Sequence, residues 1–184
     1  QVDFDGNVLR SKFYEAIMRS HARLTYTQVW KAVGEADTEA GQEAVAQVGS
    51  LMPQVQRLHQ LYQVLAKARS RRGAIEFESS EVRFVLDNSG EVVQAGMLER
   101  NDAHKLIEEC MIAANVEAAK FVTGKQMPAP FRVHPRPPEA KYGDLLEYLS
   151  EFGLSLPPWS KVQPRDFTQL LRKVRVRPDA ALLE

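Results

Sequence analysis

Apolar residues in the middle of the chain repeat every three or four positions, which is the spacing of one face of an α-helix. We therefore predict a long helix that begins at Ser50 and ends near Gly73. The residues that form its predicted apolar face are Leu51, Val55, Leu58, Tyr62 and Leu65.

A second helical pattern follows Asn101-Asp102, a pair suited to capping a helix N-terminus, and stops at Gly124. At 1.5 Å per residue this helix would be roughly 30 Å long. Residues 34–49 are small, acidic and glycine-containing, and we expect a surface excursion with weak helical character. Three further helices are predicted, one capped by Thr25 or Thr27 and running through Val33, one at Ala140–Phe152 and one at Pro164–Arg175.

Two hairpins are predicted from turn residues that lie between apolar segments. Asp5-Gly6 suits a tight turn between residues 2–4 and a second arm from Val8 to about Met18. The other hairpin pairs strands 81–86 and 91–98 around a turn at residues 87–90, with a further strand at 74–78. The predicted class is therefore α+β, with antiparallel β hairpins packed with several α-helices.

Composition adds few constraints on function. Lys plus Arg and Asp plus Glu both total 24, so no global positive field indicates a nucleic-acid partner. Two stretches are nevertheless locally basic, residues 67–72 and residues 165–177. The single cysteine, Cys110, excludes an internal disulfide and a thiolate zinc cluster. No apolar run has membrane-spanning length and no signal pattern is present, so a cytoplasmic protein is the simplest expectation.

The closely spaced aspartates Asp3 and Asp5 are the one pair that suggests a divalent metal site, because such ions prefer carboxylate oxygens. A role in the Asp-Gly turn explains them better, and we predict no metal site here. Hydrolase, zinc-protease and phosphate-loop motifs do not occur, and the four histidines lack ligand spacing. For His59 a solvated or packed role is favoured.

The 101–123 helix carries a polar stripe formed by His104, Glu108 and Asn115. A solvated edge explains these residues more simply than a groove that hydrogen-bonds sugar hydroxyls or base edges. Cys110 is expected to pack on the apolar face of the same helix. The other residues assigned to that face are Leu106, Ile107, Ala114 and Ala118.

Aromatic residues beside cations give another candidate site. Arg69-Ser70-Arg71-Arg72 precedes Ile75-Glu76-Phe77, and single-stranded RNA binding uses cations for phosphates and rings for bases. On the residues alone, Phe77 is better explained as a strand residue that alternates with Ile75 in a core.

Four segments carry a resemblance to a known family. They are R-S-K-F-Y-E-A-I-M-R-S-H-A-R-L-T-Y-T-Q-V (10–29), R-R-G-A-I-E-F (71–77), A-H-K-L-I-E-E-C-M-I-A-A-N (103–115) and F-R-V-H-P-R-P-P (131–138). Their order and identity resemble the catalytic domain of the ribonuclease R / ribonuclease II (RNB) exoribonucleases, and the ribonuclease R branch more than the ribonuclease II branch. The resemblance covers essentially the whole chain.

The resemblance implies part of a processive 3′→5′ exoribonuclease that hydrolyses single-stranded RNA to nucleoside 5′-monophosphates with Mg²⁺. It also implies three RNA-binding residues. Phe77 is similar to the family's phenylalanine that stacks on the bases. Tyr26 resembles the tyrosine that packs near the 3′ end and influences final product size. Glu108 resembles the glutamate that contacts the terminal nucleotides.

The chain also departs from the family. The family's metal-binding aspartate cluster, expected upstream, and its S-P-I-R-R motif, expected downstream, are both missing, and Asp3-x-Asp5 does not match the cluster. We therefore expect residues 1–184 to be a central fragment of an RNB domain, with ends that look cut. The fragment is expected to contain no catalytic residue, to bind no metal and to be inactive alone. A non-catalytic RNA- or protein-binding module is the alternative, and self-association of the fragment is a third possibility.

Overall fold

The computed structural model describes residues 1–75, 82–97 and 100–183, apart from the side chains of Arg83 and Ala181. The described chain divides into two compact units. The first contains residues 1–68 and the described residues from 82 to 128, and the second contains residues 69–75 and 129–183.

Helices dominate the described chain. The first unit contains helices α1 (Tyr26–Gly34), α2 (Glu39–Val48), most of α3 (Met52–Arg71) and α4 (Asp102–Gly124). A short 3₁₀ turn, Gly49–Leu51, precedes α3. The second unit contains α5 (Glu139–Glu151), α6 (Pro164–Val174) and α7 (Ala180–Leu183). The predicted bounds of the helices near 102–124, 140–152 and 164–175 are therefore confirmed.

Helix α1 begins where a capping box forms. Thr25 Oγ1 accepts a hydrogen bond from the Gln28 N–H at 3.2 Å, and Gln28 Oε1 accepts one from the Thr25 N–H at 3.0 Å. This reciprocal pair satisfies backbone donors that the first helical turn leaves unpaired. Thr25 is therefore the cap, and Thr27 is not.

The expectation of a surface excursion at residues 34–49 is wrong. Residues 39–48 form a complete helix, whose Ala44 and Val48 are only 3% and 4% exposed in a core with Ala32 and Val55. The apolar stripe is narrow and built from small residues, so the composition of the segment concealed it. At Gly41 a β-carbon would lie 1.8 Å from the Glu35 carbonyl oxygen, so the turn before α2 requires glycine there.

Helix α3 confirms the long predicted helix, but its predicted face is only partly buried. Val55 and Leu65 are buried, together with Ala68, whereas Leu58 is 45% exposed. Spacing determines which residues share a side of a helix, but it does not determine how far neighbouring elements extend along it. Leu58 therefore belongs to the predicted apolar face but remains largely exposed.

The N-terminal turn forms, but its long second arm does not. Val2 and Val8 form an isolated antiparallel bridge, and residues 9–24 have no regular secondary structure. Within this segment Phe13 packs against Phe121 of α4 with ring centroids 4.9 Å apart, whereas Ile17 is fully exposed. The alternating pattern after Val8 was therefore wrongly interpreted as a strand.

The second hairpin is confirmed as β1 (Val82–Leu86) and β2 (Val92–Met97), paired antiparallel with Val82 opposite Met97. Asp87 Oδ1 closes the turn by accepting hydrogen bonds from the Ser89 and Glu91 N–H groups, at 2.8 and 3.0 Å. The described side chains of both strands are exposed. Ala74 and Ile75 belong to no strand, and the rest of the predicted 74–78 strand lies outside the described residues. The α+β class is confirmed.

The second unit has its own core. Leu149, Leu170 and Val174 are buried there, with Leu145 and Leu154 packed against them. Tyr142 is 2% exposed, and its hydroxyl donates to the Pro157 carbonyl oxygen at 2.6 Å. Nowhere in the described ranges does a helix have both the length and the apolar character needed to cross a bilayer.

Candidate functional site

Two of the three predicted RNA-binding residues lie on one surface, where α1 and α4 pack together. Tyr26 is the first residue of α1, directly after the Thr25 cap, and its ring stacks on the His104 ring. The two ring centroids are 4.1 Å apart and the planes are 25° from parallel. Tyr26 remains 45% exposed, so part of it is open to solvent.

Helix α4 holds His104 in place through its cap. Asn101 Oδ1 accepts the Ala103 N–H at 3.1 Å and lies 2.9 Å from His104 Nδ1. Because the amide oxygen only accepts, His104 Nδ1 is assigned as a proton donor. The N-cap therefore orients the imidazole under the Tyr26 ring.

Glu108 lies one helical turn beyond His104 on the same side of α4, as the four-residue spacing requires. Its carboxylate forms an ion pair with Arg100, which directly precedes the N-cap of α4. The two side chains are 36% and 38% exposed, respectively. We call Tyr26, Arg100, His104 and Glu108 the α1–α4 surface.

The polar stripe continues along α4 as predicted. Asn115 is exposed, and Met111 between the polar positions is 59% exposed. The α1–α4 surface thus extends into a side of the helix that carries both polar and apolar groups open to solvent. Such a side can make hydrogen bonds and apolar contacts with the same ligand.

The packing side of α4 differs from the predicted apolar face. Ala103, Leu106 and Glu109 are buried, whereas Ile107 is 42% exposed and Ala114 is exposed. The expectation that Ile107 and Ala114 pack in a core is therefore wrong for the described structure. Apolar residues lie on nearly every side of α4, so spacing alone did not select the packed side.

Cys110 is half-buried on α4, next to the buried Glu109. Burial, with a smaller contribution from the charge of Glu109, raises the pKa of the Cys110 thiol above its ordinary value. Both effects disfavour the thiolate, which is the reactive form of cysteine. Cys110 is therefore not an activated nucleophile.

Sequence reasoning missed a contact that places the start of α4. Asp102 lies 3.4 Å from His59 Nε2 and accepts a 3.3 Å hydrogen bond from the Tyr62 hydroxyl, so α3 side chains fix the first turn of α4. His59 thus has the packed role that was favoured for it. The role of Arg100 was missed as well. It pairs with Glu108, eight residues further along and on the other side of the helix cap, and no simple periodicity predicts that spacing.

Asp3 and Asp5 lie in the N-terminal turn. Asp3 Oδ1 accepts the N–H groups of Asp5 and Asn7 at 3.0 and 2.7 Å, and Asp3 Oδ2 accepts Asn7 Nδ2 at 3.0 Å. These bonds, chiefly the one from the Asn7 side chain, lower the pKa of the Asp3 carboxyl. Asp3 is therefore the residue that closes the turn, the role that the sequence assigned to Asp5.

No group of three or more His, Cys, Asp or Glu side chains within the described ranges is arranged to hold a metal ion. Those residues therefore do not fit a magnesium site. Phe77, the third predicted RNA-binding residue, lies outside the described residues.

Family comparison assigns this architecture to a known class. The RNB domain matches residues 1–183, so the chain belongs to the RNB domain family. Relatives include the ribonuclease R of Escherichia coli (strain K12), 44% identical over 183 residues that cover 100% of this chain. The ribonuclease R of Vibrio cholerae is 40% identical over 179 residues, and that of Thermotoga maritima is 31% identical over 179, both covering 97% of this chain.

Solved structures agree on the fold. Mycoplasma genitalium RNase R in complex with ribose-methylated single-stranded RNA matches 86% of this chain with a TM-score of 0.66 at 22% identity. The same enzyme in complex with double-stranded RNA matches with a TM-score of 0.68. The chain spans only 22% of the Escherichia coli protein and 25% of the first of these structures.

Proposed function

We propose that this chain forms part of the RNA channel wall of a cytoplasmic, processive 3′→5′ exoribonuclease that converts single-stranded RNA to nucleoside 5′-monophosphates. The observation that carries the proposal is the match of the RNB domain to residues 1–183, supported by a 44% identical ribonuclease R. Because the chain spans about a fifth of that relative, its own contribution is RNA binding and positioning.

The α1–α4 surface supplies chemistry suited to that role. The exposed part of the Tyr26 ring offers a face for stacking, and the His104 ring behind it holds it in one orientation. Stacking of a base on an aromatic side chain contributes roughly 1–3 kcal/mol and depends little on which base is present. A processive nuclease needs this tolerance of sequence.

Glu108 supplies the second part of that chemistry. Its carboxylate oxygens accept hydrogen bonds, and a ribose 2′-hydroxyl is a donor that DNA lacks. Arg100 orients the carboxylate and offsets its charge, which reduces repulsion of a polyanion. In this proposal Tyr26 contacts a base near the 3′ end, Glu108 contacts the terminal nucleotides, and Phe77 stacks on the bases.

The hydrolytic step is assigned to other parts of the enzyme. We infer that the full-length enzyme uses Mg²⁺, an ion that can supply an activated water and stabilise the leaving oxygen in phosphodiester hydrolysis. The isolated chain is expected to release no mononucleotides from single-stranded RNA in the presence of Mg²⁺. Magnesium-dependent release of mononucleotides that co-purifies with the chain, and that is lost in a Tyr26→Ala variant, would refute the assignment of hydrolysis to other parts of the enzyme.

A hybrid enzyme tests the proposed function directly. Residues 1–183 replace the matching segment of the Escherichia coli ribonuclease R, and mononucleotide release from labelled RNA is measured. We expect the hybrid to degrade RNA, and Tyr26→Ala and Glu108→Gln to alter its rate or the size of its final product. If the hybrid folds but is inactive, while the isolated chain still binds RNA, the result would favour the non-catalytic binding module instead.

Self-association is tested separately. The described side chains of β1 and β2 expose apolar residues such as Phe84 and Val93. Sedimentation velocity at several concentrations distinguishes a monomer from an assembly through this hairpin. A Phe84→Ser variant should abolish any concentration dependence that the hairpin causes.

A further inference from the structure

The two basic stretches of the sequence meet within the second unit. Arg172 Nη2 of α6 donates to Ser70 Oγ at 3.1 Å, and Thr168 Oγ1 donates to the Gly73 carbonyl oxygen at 3.1 Å. Residues about a hundred positions apart in the chain therefore form one local structure. The α1–α4 surface uses none of them.

A concavity lies where they meet. Its volume is about 140 Å³, well above the roughly 10–15 Å³ that a cavity needs to hold one water molecule. Arg172 lies in the last turn of α6 and Arg175 is its C-cap; both are exposed, and both side chains line the same opening. The lining residues, which we call the Arg172 pocket, are Ser70, Ala74, Thr168, Leu171, Arg172 and Arg175.

The segments that form this pocket are rich in basic residues. In the sequence, residues 69–78 and 164–177 contain eight Lys or Arg residues and three acidic residues, Glu76, Glu78 and Asp166. Asp166 Oδ2 accepts the Gln163 N–H at 2.7 Å, so that carboxylate is engaged in the cap of α6. Arg177 is paired with Asp179 at 2.7 and 2.8 Å. The two segments therefore carry an excess of cationic residues, and two of these, Arg172 and Arg175, line the pocket.

The donor groups match a phosphate rather than a base. A guanidinium carries five N–H donors in a planar fork that fits phosphate oxygens, and the bond from Arg172 to Ser70 uses one of them. Ser70 Oγ accepts that bond and keeps its own O–H to donate. Thr168 donates to a carbonyl oxygen and therefore orients the loop at Gly73.

We propose that the Arg172 pocket binds a phosphate group of an RNA backbone. The choice of RNA as the polymer rests on the proposed function, whereas the phosphate chemistry rests on the pocket itself. The pocket would hold the strand by its backbone without reading its bases. It is a contact separate from the α1–α4 surface and is composed of different residues.

Fluorescence anisotropy with a labelled oligouridine of about 12 nucleotides, a length within the site sizes of single-strand binders, tests this proposal. The chain is titrated between about 50 and 200 mM KCl without Mg²⁺. Arg172→Gln/Arg175→Gln should weaken binding about tenfold at low salt and reduce the slope of log Kd against log salt by about one. The control Arg165→Gln/Lys173→Gln removes two charges from the same helix outside the pocket and should have a much smaller effect.

Two further experiments separate recognition of a phosphate group from a general effect of charge. Arg172→Lys/Arg175→Lys keeps both charges and should retain most of the salt slope while losing affinity, because an ammonium lacks the fork. Inorganic phosphate at constant ionic strength should shift the backbone amide resonances of Ser70 and Thr168, and RNA should shift the same resonances. Shifts with phosphate but an unchanged RNA slope in the Gln variant would indicate a site for free phosphate and overturn the proposal.

Equal losses in the pocket and control variants would also overturn it, because they would show a diffuse charge effect. A wild-type chain that binds no RNA at these salt concentrations would overturn it as well. The hybrid enzyme reports on the proposed function independently of these outcomes. An active hybrid with no effect of the pocket variants would reject the pocket alone.

Discussion

The α1–α4 surface and the Arg172 pocket offer opposite chemistry to a nucleic acid. The first presents a stacked tyrosine and a carboxylate whose charge Arg100 offsets, and the second presents two arginines with a serine hydroxyl. Rings and carboxylates interact with bases and sugar hydroxyls, whereas guanidiniums interact with phosphates. The difference predicts that the two surfaces respond differently to salt, because only phosphate contacts release counterions.

The two surfaces also differ in how they are built. Helix caps place the residues of the α1–α4 surface, since Thr25 precedes Tyr26 and Asn101 orients His104. The pocket depends instead on a close backbone approach at Gly73, whose φ is +76° and where a β-carbon would lie 2.5 Å from Arg165 Cβ. Disruption of the close approach at Gly73 should therefore damage the Arg172 pocket and leave the α1–α4 surface intact.

The largest expected effect is therefore on stability. Gly73→Ala should lower the free energy of unfolding of the second unit by about 2–4 kcal/mol, because it combines a left-handed backbone conformation with overpacking. Urea unfolding followed by Trp159 fluorescence in a Trp30→Phe background reports on that unit. Gly153→Ala is the matched control, since its φ is +68° but nothing lies near its β-carbon, and should lose only about 1 kcal/mol. Equal losses in the two variants would show that the close approach does not matter.

Next in size is the effect of removing the stacked ring. Tyr26→Ala should weaken oligouridine binding by roughly 1–3 kcal/mol, without changing the slope of log Kd against log salt. Tyr26→Phe keeps the ring and should bind nearly as tightly as the wild type. A reduced salt slope in the alanine variant would remove the distinction between the two surfaces.

A smaller effect is expected from the carboxylate. Glu108→Gln should reduce the preference for oligouridine over the matching DNA oligomer by about 0.5–1.5 kcal/mol, the net contribution of one hydrogen bond. Anisotropy with both oligomers measures that preference. Glu117→Gln on the same helix, where the native side chain pairs with Lys120 at 2.7 Å, should leave it unchanged. A similar loss in both variants would assign the effect to net charge.

The smallest effect concerns the packed side of α4. Burial and Glu109 raise the pKa of Cys110, so the neutral thiol is favoured in the folded state. The stabilisation associated with the neutral thiol is present below the unfolded pKa and is lost as the pH rises through the folded value. Iodoacetamide should therefore react slowly at about pH 8.5, where a free cysteine is half-ionised, and Glu109→Gln should speed the reaction. Fast reaction of the wild type would contradict the raised pKa that follows from the half-buried placement of this thiol.

Sequence reasoning predicted the elements that local chemistry determines. The sequence predicted a cap at Thr25 or Thr27 and another at Asn101-Asp102, because cap residues bond to backbone within three positions, and the structure selects Thr25 and Asn101. The predicted turn at residues 87–90 forms because Asp87 bonds its own loop. Helix α2 was missed because its apolar stripe consists of small residues. The strand predicted after Val8 was wrong because alternation does not supply a partner strand.

The residues of the candidate sites show the same distinction between local patterns and long-range contacts. Tyr26 and Glu108 were assigned through family resemblance, and no spacing rule relates Tyr26 to His104, which lies 78 positions away. Both basic stretches were recognised in the sequence, but their meeting at Ser70 and Arg172 depends on tertiary packing. Local patterns identify reactive or charged residues, and long-range contacts decide which of them act together.

The central claim is that the α1–α4 surface contacts bases. The most direct test compares the affinities of the wild type and Tyr26→Ala for oligouridine and for an abasic ribose-phosphate oligomer of equal length at low salt. We predict that the substitution weakens binding to oligouridine and leaves binding to the abasic oligomer unchanged. An equal loss for both oligomers would contradict it.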